Sequence, residues 1–292
     1  VRVDWHSHVW EPRHLGPTWG PELDANVGAH PSRDGSWEAH QLAMAEGEID
    51  AAVVVALVAC EIDLDIPNEY VAEYAATHPG RIVGFGSVDP ADPHAVARVH
   101  HAADLGLRGL KLSPPYQGFH PHSDAAWAVY TAAADRGLAL MFHQGGVFLR
   151  GGALEYAQPI LLDRVARSFR DTSIIIAHAG QPWSHETAAV MFKNPNVWTD
   201  LSARYGRPHQ LATILRGLTD YGVGERVLFG SDFPIYTPAD CIRQLRDLVL
   251  SPPAGAPPVE PPLVDQILDA RPLSILFPDL HPALSAERKD PS

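Results

Sequence analysis

Two histidines one residue apart open this chain, in the run Val3-Asp4-Trp5-His6-Ser7-His8. Side chains at i and i+2 of a strand share one face. Asp4, His6 and His8 therefore line up, and the two imidazoles can grip one ion from a single strand end. Three more segments end an apolar run with a metal-ligand side chain: Phe142-His143-Gln144, Ala177-His178-Ala179 and Gly230-Ser231-Asp232. The set His6, His8, His143 and Asp232 suits one divalent transition metal, zinc first, with Mn²⁺, Fe²⁺ or Co²⁺ also compatible. Such a site keeps a position for water and lowers its pKa to about 7. His178 is either a further ligand or an unligated acid/base beside the ion, since imidazole titrates near neutrality. Asp232 can bind the metal and also accept a proton from its water. Asp4 is placed to hydrogen-bond a ligand histidine from behind.

The first and last of these segments lie more than two hundred residues apart in sequence. They can share an ion only if the first and last strands are neighbours. Apolar, β-branched runs place eight strands at Val1–Trp5, Ala51–Val58, Arg81–Val88, Arg108–Leu112, Leu138–His143, Ser173–His178, Asn196–Leu201 and Arg226–Gly230. Most are apolar on both faces, as parallel strands covered by helices are. Helical patterns fill the gaps and often open with Pro, Ser, Asp or Asn. Examples are Asn68–Thr77, Asp124–Arg136, Pro208–Tyr221 and Pro238–Leu250. Eight βα units in series predict an α/β fold, a (β/α)₈ TIM barrel forming one domain over residues 1–292. An open doubly wound sheet would scatter the ligands. Residues 9–35 form a long loop after the first strand, on the face where barrel active sites sit, and are expected to wall the pocket. Residues 251–262 read as a proline-rich spacer, 263–276 as a closing helix and 287–292 as a polar tail.

Composition narrows the function classes. The chain has 292 residues, 46% hydrophobic and 20% charged, with a formal net charge of -13. That charge disfavours nucleic acid as a partner, because phosphate binding is driven by Lys and Arg. No apolar run approaches the ~20 residues of a membrane span. Two cysteines, Cys60 and Cys241, cannot build a disulfide framework and fit a reducing compartment. No secretory leader is visible, although the chain starts at Val1, and a cytoplasmic setting is expected. With 16 histidines present, a single one at a strand end is more often a core or surface residue than a ligand. The functional reading rests on their joint pattern. His100-His101 and His120-Pro121-His122 read as solvated, and His14, His30 and His40 as structural.

These runs resemble the amidohydrolase superfamily, in particular the amidohydrolase-related group that includes aminocarboxymuconate-semialdehyde decarboxylase. The matching segments are Val3–His8, Gly109-Leu110-Lys111-Leu112, Phe142-His143-Gln144-Gly145, Ile176–Gly180 and Leu228–Pro234, in the family's order. Ile267–Phe277 resembles its closing helix. The resemblance implies a mononuclear site with His6, His8, His143 and Asp232 as ligands and His178 as acid/base or water-orienting residue. It leaves the reaction open, since the group holds hydrolases, lactonases and nonoxidative decarboxylases. One departure is that Gln144-Gly145-Gly146 stands where the decarboxylases tend to carry Pro-Trp, which tilts the reading toward hydrolysis. In dinuclear relatives a lysine on the fourth strand is carboxylated and bridges two metals. For Lys111 that role, a contact to a substrate anion and a structural role all stay open.

The substrate is expected to be a small molecule, planar or carboxylated. Trp10, Trp19, Tyr116, Phe119, Phe148, Trp183, Tyr205 and Tyr236 follow strand ends and could build a flat pocket. Fewer than half are expected to touch substrate, with Tyr116 and Trp183 among them. Arg204 and Arg150 could hold a carboxylate. Cys60 reads as a buried small residue, since a metal-activated water makes a thiol unnecessary. The expected activity is hydrolysis of an ester, lactone or amide. A nonoxidative decarboxylase of an aromatic or unsaturated acid is the alternative, and a non-catalytic metal-binding barrel is the third. A homo-oligomer is compatible with all three.

Overall fold

The computed structural model describes residues 1–17, 19–27, 34–269 and 271–279. Among the described residues ten strands occur in chain order: β1 (Val3–Ser7), β2 (Ala51–Val55), β3 (Leu57–Ala59), β4 (Leu64–Ile66), β5 (Ile82–Ser87), β6 (Gly109–Leu112), β7 (Ala139–His143), β8 (Ile174–Ala177), β9 (Val197–Asp200) and β10 (Val227–Leu228). Eight of them pair in the order β1-β2-β5-β6-β7-β8-β9-β10, and each pairing is parallel. The seam is drawn together by Trp5 N–H donating to Phe229 O, 2.8 Å, and Asp232 N–H to His6 O, 2.8 Å. A parallel bridge joins Ser7 to Phe233. The result is the TIM barrel expected from the sequence.

Alternation along the strands explains the two cores. Ala51, Val53, Val55, Ala139, Met141 and Ile175 point into the barrel, and Trp5, Phe85 and Phe277 pack together within the same cluster. Their neighbours Ala52, Val54, Leu140, Phe142 and Ile176 face outward and pack with helix residues such as Val71, Val129 and Leu215. The inward parity carries on to Lys111, His143 and Asp200. That places their side chains above the apolar filling, at the strands' C-terminal ends.

Four readings need correction. The second predicted strand breaks at Ala56, and its end, β3, leaves the barrel to pair antiparallel with β4. The apolar run has one period throughout and carries no mark of that break. The segment after β1 is not all loop: it holds a helix, Trp19–Val27. Cys60 is exposed, at the start of a tight turn after β3. The closing helix runs as two pieces, Pro261–Ile267 and Arg271–Leu276, so the proline-rich spacer is shorter than read. His30 and the 287–292 tail lie outside the described residues. Among the described residues no helix is long and apolar enough to cross a membrane.

Candidate metal centre

Backbone irregularities aim the central side chains. The pairing of β1 with β2 shifts register between Asp4 and Ser7, which brings His6 to the barrel mouth although its neighbour Trp5 points inward. His178 and Asp232 have φ values of 60° and 66°. Non-glycine residues rarely occupy this left-handed region, and holding them there costs roughly 1–3 kcal/mol each. Ligand atoms of His6, His178 and Asp232 all lie within 4.8 Å of one another, and all three residues are buried.

Hydrogen bonds fix which ring nitrogen each histidine offers. His6 Nδ1 is 3.0 Å from Asp200 Oδ2 and 3.0 Å from Ser202 Oγ. Donation to that carboxylate leaves the Nε2 lone pair facing the centre. His178 Nδ1 donates to Ser202 O at 3.1 Å, so its Nε2 also faces inward. His143 Nε2 donates to Gly146 O at 3.3 Å, which turns Nδ1 toward His178 Nε2 at 3.1 Å. Two lone pairs at that distance repel unless a proton or cation lies between them. Asp232 Oδ1 is 3.5 Å from both His6 Nε2 and His8 Nε2. His8 Nδ1 is buried with no hydrogen-bond partner among the described residues.

This donor set fits a divalent transition metal. Atoms held about 2.0–2.2 Å from one ion in a tetrahedron would be about 3.4 Å apart. The observed spacing is therefore reached by small rotations of side chains already turned the right way.

Electrostatics agree with the hydrogen bonding. Burial pushes His8 down to about 4 and His143 down to about 3, and it holds His178 well below the usual imidazole range. These rings are neutral donors at neutral pH. Burial opposes ionisation of Asp200 and Asp232, but the imidazoles beside them win and hold both carboxyls well below their usual range. Lys111 Nζ lies 3.0 Å from His6 Nε2. Burial brings its ammonium down to about 8, with Asp200 and Asp232 opposing.

Above the centre is a narrow pocket with about 70 Å³ of free space. Its floor is His8, Lys111, His143, His178 and Asp232. Trp10, Trp19 and Leu23 line one side, from the segment after β1. Leu57, Ile62, Leu64 and Ile66 come from the β3–β4 hairpin and its turn. Tyr116, Phe148, Leu149 and Ile235 complete the wall. Of the eight aromatic residues expected near the mouth, Trp10, Trp19, Tyr116 and Phe148 line this pocket. Tyr116 packs 5.0 Å from the His143 ring and accepts from Phe148 N–H at 2.8 Å. Trp183 is half-buried at the start of the helix Ser184–Lys193 and is not part of the lining. Arg204 is buried near Asp232 but also outside the lining, and its Nε has no hydrogen-bond partner among the described residues. Arg150 is exposed, and its backbone N–H donates to Glu22 of the Trp19–Val27 helix.

Residues 3–269 match the family model described as Amidohydrolase. The chain belongs to the amidohydrolase family. Comparison with curated proteins finds no match. Among solved structures, this amidohydrolase is similar to an uncharacterised TIM-barrel protein from Bordetella bronchiseptica, with a TM-score of 0.78 and 22% identity over 96% of this chain and 99% of the other. It is also similar to a probable 2-pyrone-4,6-dicarboxylic acid hydrolase from Acinetobacter baumannii, with a TM-score of 0.66 and 14% identity over 94% and 98%. A 5-carboxyvanillate decarboxylase from Novosphingobium aromaticivorans, solved with manganese and a nitrobenzoic acid, gives 0.67 and 15% over 95% and 96%.

Sequence reasoning missed Asp200 and Ser202, which back the histidines of this amidohydrolase. The signal was present: Asp200 ends a strand, as His143 does. Asp4, expected behind a ligand ring, instead accepts from Ser231 N at 2.9 Å, Ser231 Oγ at 2.5 Å and the His6 backbone N at 3.2 Å. It ties β1 to the segment after β10 and leaves the His6 ring to Asp200. Desolvation raises the Asp4 carboxyl to about 6, against the pull of these bonds.

Proposed function

We propose that this amidohydrolase is a metal-dependent hydrolase that cleaves an ester, lactone or amide of a small molecule. The observation that carries the reading is the convergence of ligand atoms from His6, His178 and Asp232, with His143 Nδ1 3.1 Å from His178 Nε2 and Lys111 Nζ 3.0 Å from His6 Nε2. His6, His178 and Asp232 would hold one divalent metal, with His8 and His143 closing round it. His178 belongs with the donors because Ser202 fixes its Nδ1 and only Nε2 faces the centre. The metal would supply a Lewis acid and a water acidified to a pKa of about 7. The manganese in the similar decarboxylase supports a divalent ion, zinc being the first choice for an N/O donor set.

The residues of the chain then divide the work. Asp232, ionised, takes a proton from the attacking water on its carboxylate and returns it to the leaving group. Lys111 Nζ donates to the oxygen that gains charge at the scissile carbonyl. Asp200 and Ser202 keep His6 and His178 from rotating away. The aromatic and aliphatic wall excludes bulk water.

A nonoxidative decarboxylase is the second reading. It is favoured by Lys111, whose ammonium would anchor a substrate carboxylate at the floor. A panel of lactones and aromatic acids separates the two. Acid release without CO₂ is the expected result; CO₂ release without consumption of water would reject hydrolysis. Loss of turnover in His143→Ala with the fold intact excludes a binding-only barrel.

A further inference from the structure

The pocket wall selects its substrate by what it lacks. Among the described residues that line it, the non-histidine charges are Lys111 and Asp232, both at the floor. Above them the surface is hydrocarbon and aromatic ring: Trp10 and Trp19 from one side, Leu57, Leu64 and Ile66 from the hairpin, Phe148 opposite. The two arginines considered for a substrate carboxylate, Arg204 and Arg150, are not among the residues that line the pocket. Arg204 lies outside the lining and Arg150 is exposed. A second anionic or strongly polar group on a bound molecule would therefore lose its water and gain no partner.

The same walls limit size. The enclosed space is about 70 Å³, within a wider opening of about 620 Å³ that is continuous with solvent. The aromatic side is braced. Trp10 and Trp19 meet edge to face with centroids 4.9 Å apart, and Trp10 N–H donates to Gly35 O at 2.8 Å. A Cβ at Gly35 would sit 2.7 Å from the Trp10 ring, so the indole is pressed directly against the backbone there. The hairpin side is tied to the same segment by a bridge between Leu15 and Leu64.

We infer that the substrate is compact and apolar-bodied, with one polar reacting group that meets Lys111 and Asp232, and no second charge. This rests on the hydrolase reading for the identity of that group, but not for the character of the body. Among the described residues the wall offers a second carboxylate no partner, whichever reaction the floor performs.

Binding tests the body separately from the chemistry. Benzoate and isophthalate share one anionic group for the floor and differ by a second carboxylate on the ring. Calorimetric titration of the metal-loaded protein with each is expected to show benzoate at least 10-fold tighter. Phe148 is half-buried at the loop, so Phe148→Arg should fold, which circular dichroism verifies. It is expected to reduce that preference by 10-fold or more. A wild-type preference for isophthalate, equal affinities, or no binding of benzoate up to ~10 mM would each overturn the inference. In parallel, turnover is followed for 3,4-dihydrocoumarin and its 6-carboxy analogue, with the plain lactone expected to be about 100-fold better in kcat/KM. If benzoate discrimination holds but neither lactone opens, the hydrolase reading falls and the apolar-bodied substrate stands.

Discussion

Asp200, at the end of β9, accepts a hydrogen bond from His6 Nδ1 across 3.0 Å, although 194 residues separate them in the chain. Both side chains are fully buried. The carboxylate therefore decides the tautomer and the ring plane of a histidine that faces the centre of the site. Its other oxygen accepts from the backbone N–H groups of His178 and Ser202, at 3.1 and 3.0 Å. One side chain thus positions two of the three most closely grouped donors.

Asp200→Asn tests that relationship. The amide nearly preserves shape but removes the charge and presents a donor where an acceptor is required. Loss of such a partner behind a ligand typically costs 10–100-fold in metal affinity. We expect a fall of that size in competition with a chromophoric chelator, with circular dichroism unchanged. Unaltered affinity would show that Asp200 is a structural acid only.

Much of this arrangement was legible in the sequence because it follows the strand period. Lys111, His143 and Asp200 continue the inward parity of β6, β7 and β9. His6, His178 and Asp232 were legible for another reason: chemically distinctive side chains lay at strand ends, although their backbones depart from regular geometry. The β3–β4 hairpin was not legible. Ala51 to Ala59 is continuously apolar, and burial in a barrel looks the same there as burial in a pocket wall. Asp4 was assigned to the wrong partner because the register shift after it cannot be read from side-chain alternation.

Metal removal should be visible in both stability and activity. Protein purified without added metal is expected to hold about one divalent transition metal per chain by elemental analysis. A strong chelator should abolish turnover and lower Tm, because the clustered lone pairs lose the cation that relieves their repulsion. A ligand present at 100 times its Kd contributes about 2.7 kcal/mol to folding stability. Restoring the metal should recover both signals. A chelator-treated sample with unchanged Tm and full activity would sink the metal proposal.

Gly16 allows the segment after β1 to lie against the hairpin. A Cβ there would fall 2.3 Å from Asp63 Cβ and 2.6 Å from Asp63 O, and a backbone atom cannot rotate aside. Gly16→Ala must push the two walls of the pocket apart. Overpacking of this kind costs about 1–3 kcal/mol, and since both walls bound the substrate, kcat/KM should fall with it. The ligands lie on other elements, so metal content should be unchanged. Wild-type stability together with wild-type kinetics would refute the proposed close approach.

His40 gives a pH signature that is independent of the ligands. It is fully buried, with Nδ1 2.7 Å from Tyr74 OH and Nε2 3.1 Å from Ser7 Oγ. Burial brings its pKa from 6.5 down to about 3. Between those values the unfolded chain binds the proton and the folded chain does not. Stability therefore rises with pH across this window and is lost progressively as pH falls from about 6.5 toward 3. A single proton gives a slope of about 1.4 kcal/mol per pH unit. His40→Asn is expected to lower stability at pH 7, because the paired hydroxyls lose a partner. It should also make the denaturation profile of chelator-treated protein shallower by close to one proton between about pH 4 and 6. His8, His143 and His178 add their own slopes to both proteins and cancel in the difference. A profile parallel to wild type would mean that His40 is protonated in the folded state and that its two hydroxyl partners receive, rather than share, its hydrogens.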